Sequence, residues 1–330
     1  MTKLATVNSV PVYDSAKFQK KLKVTLPYYP SPRDDEFPAL LAQQTHNFKA
    51  RLAGGGVKEC AIVVMGDSNS GKSKMLEYHM SRFPDLQPKM AEDGTMYSPV
   101  LMVEAPGSCT PKAFPIAMLA AIGIPATSRA SEFELYALLK RVLKLNKIEC
   151  VVVDEMQHAI RGTKDATIKK VQDVLKSLLQ IDDWPIHFIF VGTHELSRFL
   201  MGDRQLANRC TVMRLLPLDY QNKDHMAYAQ RLTREIVVDT AELKIGWKTN
   251  KRLPERLTRA SEGALGALIT YVQQACIRAI DEDRKTVRLE DFAAVYRAKT
   301  GCMKADNIFL SENWEVLDPA MAVADLDRTK

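Results

Sequence analysis

The stretch from Cys60 to Ser73 constrains the fold more than any other part of the chain. It begins with a short apolar run, 60–65, and ends in GDSNSGKS, which fits the phosphate-binding pattern Gly-x-x-x-x-Gly-Lys-Ser/Thr. The apolar run is long enough for a buried parallel strand, and residues 74–80 can continue as a helix. The loop between them consists of Gly66, Asp67, Ser68, Asn69, Ser70, Gly71, Lys72 and Ser73.

The residue types of this loop suit a nucleotide. Gly66 and Gly71 permit the backbone angles of a tight loop. The N–H groups of the loop and the N-terminus of the helix can then surround phosphate oxygens. Lys72 would reach the β- and γ-phosphates, and Ser73 would ligate Mg²⁺. We therefore expect this loop to bind a nucleotide together with Mg²⁺.

Composition places few limits on the remaining function. Of the 330 residues, 46% are hydrophobic and 26% charged, which is ordinary for a globular protein with a real core. No apolar run reaches the roughly 18 residues of a membrane span, and the N-terminus lacks the apolar stretch of a signal peptide. We expect a cytoplasmic protein without membrane contacts. The net charge of +6 is compatible with nucleic-acid binding but is weak support for it.

The six cysteines give no sign of a zinc or disulfide framework. None of them forms a C-x-x-C pair, and Cys60 and Cys150 lie in predicted buried strands. We expect both to be reduced core residues.

Strand and helix patterns alternate through the first two thirds of the chain. This alternation predicts an α/β domain, 34–218, around a five-stranded parallel sheet, and beyond it a small helical domain, 219–300, in which we find no convincing strand. The predicted strands are 60–65, 100–103, 148–153, 186–191 and 211–216, and the predicted helices of the second domain are 222–237, 264–280 and 289–299.

The two ends of the chain are predicted to lie outside these domains. Residues 1–33 suggest an arm and a stiff linker with a cluster of lysines at 17–23, which is either a solvated arm or one that contacts a partner or DNA. Residues 301–330 form an acidic tail whose apolar residues, Phe309 and Trp314 among them, are too few and irregular to build a core. We expect the tail to dock into a partner; packing back onto the helical domain is the alternative.

A phosphate loop needs a second acidic site, and the strand ending in Asp154 and Glu155 supplies one. Asp154 is placed as the carboxylate on the metal side, and Glu155 is placed to polarise a water for attack on the γ-phosphate. The alternative is that the pair merely starts a solvated loop.

Three further residues complete the predicted catalytic set. Thr193 ends the next strand, where a polar residue can sit beside the γ-phosphate; His194 is the alternative residue, and a simple helix cap is the alternative role. Arg204 and Arg209 precede the last strand and are candidates for a cation that neutralises the transferring phosphoryl group. Each of these arginines could instead form a surface ion pair.

The order of these segments resembles that of AAA+ ATPases, and within them the chain resembles the TniB/TnsC family of transposition regulators. The similarity covers roughly residues 30 to 300. The segments that carry it are 29–33 (YPSPR), 66–73 (GDSNSGKS), 109–112 (CTPK), 151–158 (VVVDEMQH), 191–193 (VGT), 203–209 (DRQLANR) and 261–266 (SEGALG).

The resemblance implies an ATPase that uses ATP and Mg²⁺ and oligomerises, as a ring or helical filament, on duplex DNA of any sequence. Such a protein passes a signal from a target-selection protein to transposase subunits. From the composition of the acidic tail, we further expect the tail to tether the transposase or a companion nuclease subunit. Arg209 falls on the family's trans-acting arginine finger. Lys112 and Arg129 fall on positions that face DNA, with the hydroxyls of Thr127 and Ser128 nearby as phosphate donors. Ordinary surface cations are the alternative for both basic residues.

The chain departs from the family pattern at three positions. Ala267 stands where a nucleotide-sensing arginine is expected, so Arg259 or another cation substitutes or the sensing is weak. Cys210 and Arg204 replace an aromatic residue and a proline, which leaves the choice between Arg204 and Arg209 open.

A helicase loader or replication initiator of the same superfamily is the first alternative function, although the residues after 300 are too few for its usual winged-helix domain. A small-molecule kinase or signalling NTPase is the second.

Overall fold

The computed structural model describes residues 15–107, 110–161, 163–179, 181 and 183–320, which divide into two compact units. One unit comprises residues 30–216. The other joins residues 15–29, which include helix α1 (Ser15–Thr25), to residues 217–320. Residues 1–14, Cys109 of the 109–112 segment and the end of the predicted tail, 321–330, lie outside the described residues.

The first unit is built on a five-stranded parallel sheet, as the sequence predicts. The strand order is β4-β5-β6-β1-β7, so the phosphate-loop strand β1 pairs with β6 on one side and β7 on the other. All six residues of β1 are buried, as expected for a strand that is covered on both faces. The strands are β1 (Ala61–Gly66), β4 (Val100–Glu104), β5 (Cys150–Asp154), β6 (His187–Gly192) and β7 (Cys210–Leu215), and a separate hairpin joins β2 (Lys89–Met90) to β3 (Met96–Tyr97).

Helices connect and flank the strands of this unit. Their boundaries follow local capping chemistry: Ser131 and Glu134 form a capping box, and the Asp203 carboxylate caps the short helix that follows it. The helices are α2 (Glu36–Leu52), α3 (Lys72–Met80), α4 (Ala113–Ala121), α5 (Glu132–Leu145), α6 (Asp165–Leu178), α7 (Leu196–Met201) and α8 (Arg204–Ala207).

The core of this unit consists of the strand side chains and the apolar faces of these helices. The thiols of Cys60 and Cys150 are free and buried within it, as predicted. Burial raises the pKa of both thiols, so neither ionises readily at neutral pH.

The second unit is mainly helical. Its helices are α9 (Lys223–Arg234), which continues as a π-helix over Glu235–Thr240, α10 (Leu253–Ala260), α11 (Leu265–Asp281) and α12 (Leu289–Thr300). The expectation that this region has no strand is wrong in a small way. Two parallel strands of two residues each, β8 (Lys244–Ile245) and β9 (Thr286–Val287), pair here and are too short to show a sequence period.

The expectation that residues 1–33 form an arm and linker outside the two domains is wrong for residues 15–29. Val24 and Tyr29 are buried in the core of the helical unit, and the Gln273 side chain donates a hydrogen bond of 2.9 Å to the Val24 carbonyl. Lys17 and Lys21 pair with aspartates at the end of α11. The lysine cluster therefore holds α1 against its own unit, which neither sequence-based alternative described.

The expectation that the acidic tail lacks a core is wrong for residues 301–317. Ile308, Phe309 and Trp314 are at most 3% exposed and belong to the core of the helical unit. The Arg256 guanidinium donates to the carbonyls of Ile308 and Ser311 and lies 5.3 Å from the centre of the Trp314 ring. This segment packs back onto the helices, because burying three large side chains outweighs the cost of ordering it.

No helix in the described part of the chain is both long enough and apolar enough to cross a membrane.

Candidate nucleotide site

The loop between β1 and α3 has the backbone that the glycine pattern predicts. Gly71 has φ 95° and Asn69 has φ 60°, both in the left-handed region, where glycine and asparagine are tolerated best. A Cβ atom on Gly66 would lie 2.8 Å from the Ser70 hydroxyl and 3.1 Å from the Leu215 carbonyl. The loop can close in this way only with glycine at that position.

Lys72 points back into the loop. Its ammonium donates to the carbonyls of Gly66 at 3.0 Å and Asp67 at 2.8 Å. Burial lowers the pKa of Lys72, while the carboxylates of Glu155 and Asp154 act in the opposite direction. A partly desolvated ammonium at the mouth of a loop of N–H groups suits the phosphates of a nucleotide.

The side chains of Ser73 and Asp154 are in contact, although Ser73 lies in the first turn of α3 and Asp154 ends strand β5. The Ser73 hydroxyl donates to the Asp154 carboxylate across 3.0 Å. A hydroxyl and a carboxylate side by side are the hard oxygen ligands that Mg²⁺ prefers. The residues present therefore fit the predicted metal, with Ser73 and Asp154 as the side chains that would hold it.

Glu155 and Thr193 end neighbouring strands at the same edge of the sheet as the phosphate loop. Glu155 takes a left-handed backbone conformation, φ 52°, directly after β5. The Thr193 hydroxyl oxygen is buried and has no hydrogen-bond partner among the described residues, so it does not serve as the cap of the helix that follows. His194, the alternative to Thr193, lies 3.3 Å from the Asp67 carboxylate. An unpaired buried hydroxyl beside the loop is consistent with a polar ligand there.

The two candidate arginines lie at the opposite edge of the sheet, where the parallel strands begin. The Arg209 carbonyl accepts hydrogen bonds of 3.0 Å from the N–H groups of Cys60 and Ala61, so it marks the beginning of β1. The phosphate loop follows the end of β1, five residue steps or about 17 Å away. The structure thus groups Lys72, Ser73, Asp154, Glu155 and Thr193 and places Arg204 and Arg209 away from them.

A partly buried ion pair connects the arginine segment to α6. The Lys176 ammonium lies 2.6 Å from the Asp203 carboxylate, and the Lys176 carbonyl accepts a hydrogen bond of 3.5 Å from the Arg209 guanidinium. Burial by itself raises the pKa of Asp203, but the hydrogen bond from Lys176 and two from backbone N–H groups outweigh it and the net shift is downward. Arg204, at the start of α8, is exposed.

The predicted DNA contacts also lie close together. The Lys112 ammonium donates to the carbonyls of Ser128 at 3.1 Å and Ala130 at 2.8 Å, which ties the start of α4 to the loop that carries Thr127, Ser128 and Arg129. These three loop residues are exposed. Two of the three donors of Lys112 are therefore used within the chain, and Arg129 presents the more open cation.

Arg259, the suggested substitute for the expected sensing arginine, is engaged within the helical unit. Its guanidinium donates to the Leu317 carbonyl at 3.0 Å and lies 6.0 Å from the centre of the Tyr220 ring.

Sequence reasoning missed Gln157 and Lys176. Gln157 lies between Glu155 and Thr193, and Lys176 holds the arginine segment. Gln157 stands in the segment 151–158 that carries the family resemblance, but a glutamine at this position does not by itself indicate a function. Lys176 cannot be distinguished in the sequence from the other lysines of an amphipathic helix.

The sheet order, the phosphate loop and the acidic strand end define an AAA+ P-loop protein. A family model for the bacterial TniB protein matches residues 56–220, which is half of the chain, and the chain belongs to this family. A search of curated proteins gives no match.

Several solved structures have a similar fold. The chain is similar to the Aeropyrum pernix ORC2 protein in ADPNP–ADP complexes, with a TM-score of 0.55 and 14% identity over 87% of this chain and 76% of that one. It is equally similar to Cdc6p from Pyrobaculum aerophilum, with a TM-score of 0.55 and 15% identity over the same shares. The Aeropyrum pernix ORC1 protein in complex with DNA also has a TM-score of 0.55, with 15% identity over 87% of this chain and 70% of that one. At these identities the similarity concerns the fold.

Proposed function

We propose that this protein is an ATPase that oligomerises on duplex DNA and regulates transposition. It would link target-site selection to transposase recruitment, and hydrolysis would limit the lifetime of the assembly. The observation that carries this proposal is the division of catalytic residues between two edges of one sheet. Membership of the TniB family supports transposition over the replication-initiator and signalling alternatives.

The residues at the loop edge have complementary roles in ATP hydrolysis. Lys72 and the loop N–H groups hold the phosphates, and Glu155 accepts the hydrogen bond that orients the attacking water. Thr193 contributes a hydroxyl that has no other partner among the described residues. A Mg²⁺ ion held by Ser73 and Asp154 would neutralise charge on the phosphates. Together these residues would bind the phosphates and orient and polarise the attacking water. Apart from Lys72, they include no cation that could neutralise charge on the transferring phosphoryl group.

The missing cation would come from a second copy. Because Arg209, at the end of the arginine segment, lies about 17 Å from the loop of its own chain, its side chain cannot reach that loop. Presented to a neighbour, it would complete the neighbour's site, and such head-to-tail contacts generate rings or helical filaments. We assign this role to Arg209, whose guanidinium is tied to the end of α6, and Arg204 is the matched control.

The DNA contacts of the proposed function rest on the α4 region. Arg129 and the hydroxyls of Thr127 and Ser128 are exposed on a loop that Lys112 fixes. Exposed cations and hydroxyls on such a loop suit phosphate oxygens, which are the same in every duplex sequence, so we expect binding to tolerate any duplex. The similar Aeropyrum pernix ORC1 structure is a complex with DNA, which is compatible with this role.

A mixing experiment tests the central claim. Glu155→Gln lacks the water-orienting carboxylate but keeps its arginine, and Arg209→Ala has the reverse defect. Each variant alone should hydrolyse ATP very slowly on DNA, and an equal mixture should regain activity because about a quarter of the interfaces combine an intact site with an intact arginine. Arg204→Ala should retain activity on its own. An inactive mixture of two variants that both bind ATP and assemble would refute hydrolysis between copies.

A further inference from the structure

The side chain of Gln157 bridges the two strand ends that carry Glu155 and Thr193. Its carbonyl oxygen accepts the Thr193 N–H at 3.1 Å, and its amide nitrogen donates to the Glu155 carboxylate. Gln157 is 5% exposed, so its own side chain is buried, whereas its two partners are half-buried. A buried glutamine with both ends occupied is rigid and directional.

The surrounding backbone holds Gln157 in this position. Met156–Ala159 form a short 3-10 helix, and the Gln157 carbonyl accepts the N–H groups of Ile160 and Arg161. On the other side a Cβ atom on Gly192 would lie 2.5 Å from the Gln157 side-chain oxygen. Gly192 therefore leaves the space that the glutamine occupies.

Thr193 determines which way the amide of Gln157 faces. Its backbone N–H can only donate, so the oxygen of the amide must face Thr193 and the NH₂ group must face Glu155. An NH₂ group can only donate, so it binds one carboxylate oxygen of Glu155 and leaves the other oxygen to accept from water.

We propose that Gln157 is a positioning residue for hydrolysis that fixes the Glu155 carboxylate relative to Thr193. The inference rests on the proposed ATPase function and adds a residue that touches neither phosphate nor water. Groups that orient a functional side chain in this way commonly contribute about 10- to 100-fold to activity. The effect should fall on kcat, because the phosphates are bound by the loop and not by Glu155.

Gln157→Met is the most direct test, because methionine keeps the length and the burial but makes neither hydrogen bond. We expect kcat for ATP to fall about 10- to 100-fold, with KM unchanged within about twofold. Gln157→Glu keeps an acceptor for Thr193 but places a second carboxylate against Glu155, and kcat should fall at least as far. Gln87→Met is the matched control: its amide also makes two hydrogen bonds, to the carbonyls of Met80 and Phe83 beyond the far end of the phosphate-loop helix. Its kcat should stay within about twofold of the parent.

A double-mutant cycle separates positioning from a merely structural role. In the Glu155→Gln background, Gln157→Met should cause no further loss of the residual rate, because the carboxylate that it positions is gone. A loss that multiplies with that of Glu155→Gln would overturn the inference, as would a normal kcat for Gln157→Met beside a slow Glu155→Gln. Parent-like turnover of Glu155→Gln would instead overturn the proposed function. If Gln157→Met unfolds, the same cycle is run with Gln157→Glu.

Discussion

Replacing Phe309 with alanine tests whether the segment after α12 is part of the helical core. Phe309 is 1% exposed, and its ring centre lies 5.8 Å from that of Phe292, 5.9 Å from Tyr296 and 6.1 Å from Tyr271. The substitution removes the member of this group that comes from outside the helices. A segment that docks only onto a partner would not have this environment.

The loss of stability should be large. Truncating a buried phenylalanine costs about 3–5 kcal/mol, because the transfer energy of the ring is lost and a cavity remains. This is a substantial part of the roughly 5–15 kcal/mol that stabilises a typical domain. At about 4 °C per kcal/mol for a unit of this size, the melting temperature of the helical unit should fall by about 12–20 °C.

Tryptophan fluorescence can report this unit separately. Two of the three tryptophans, Trp247 and Trp314, lie in the helical unit, so a Trp184→Phe background removes the signal of the α/β unit. Leu310→Ala is the control, since Leu310 is 38% exposed, and it should change the free energy of unfolding much less. Equal and small effects of Phe309→Ala and Leu310→Ala in urea unfolding would show that the segment is not part of the core.

Three further predictions concern binding and hydrolysis. Lys72→Ala should abolish ATP binding and with it assembly on DNA, and ATP-dependent assembly of this variant in gel filtration would contradict the site. Replacing Lys112 and Arg129 together with alanine should weaken binding to all duplexes alike and reduce the slope of log affinity against log salt by about 2, measured by fluorescence anisotropy; a loss confined to some sequences would indicate base readout. Lys176→Met should lower kcat about 10-fold without changing ATP affinity, because the arginine segment loses the ion pair between Asp203 and α6, whereas Lys144→Met, whose ion pair is exposed, should not. Equal kcat values for these two lysine variants would refute the role of Lys176.

The central strands of the sheet could be predicted because β1, β5 and most of β6 are continuous apolar runs followed by polar residues of the candidate site. The run before Gly66 and the run before Asp154 both appear within two residues of their predicted positions. Parallel strands buried on both faces leave this signature in the sequence whatever surrounds them. The phosphate loop could also be predicted, because its tight backbone conformation requires glycine at Gly66 and favours it at Gly71.

The packing of the chain ends could not be predicted, because it depends on partners far away in sequence. The apolar residues around Phe309 and Trp314 show no helical or strand period, and the lysines of α1 look like a solvated face. Only the fold brings Lys17 next to Asp283, or Arg256 next to the carbonyl of Ile308. Burial of irregular segments is a tertiary property that local patterns do not encode.

The candidate site was predictable to the extent that the proposed role of each residue concerns the nucleotide directly. Lys72, Asp154 and Glu155 have charges that indicate a role. Gln157 and Lys176 act on other protein groups, so their residue types carry no such signal. Their roles become visible only when hydrogen bonds are assigned across strands and helices.

Helix α6 links the two edges of the sheet that divide the proposed catalytic residues. Its first turn pairs with α7 through Asp165 and Arg198, near the loop edge, and its last turns hold Asp203 and Arg209 at the other. Its fourteen residues span about 20 Å, close to the length of the six-residue strand β6 that follows it in the chain. In the proposed assembly, Gln157 therefore acts on hydrolysis in its own copy, whereas Lys176 acts on hydrolysis in the neighbouring copy. A mixture of Lys176→Met chains with Arg209→Ala chains should consequently stay slow, while a mixture of Gln157→Met chains with Arg209→Ala chains should recover.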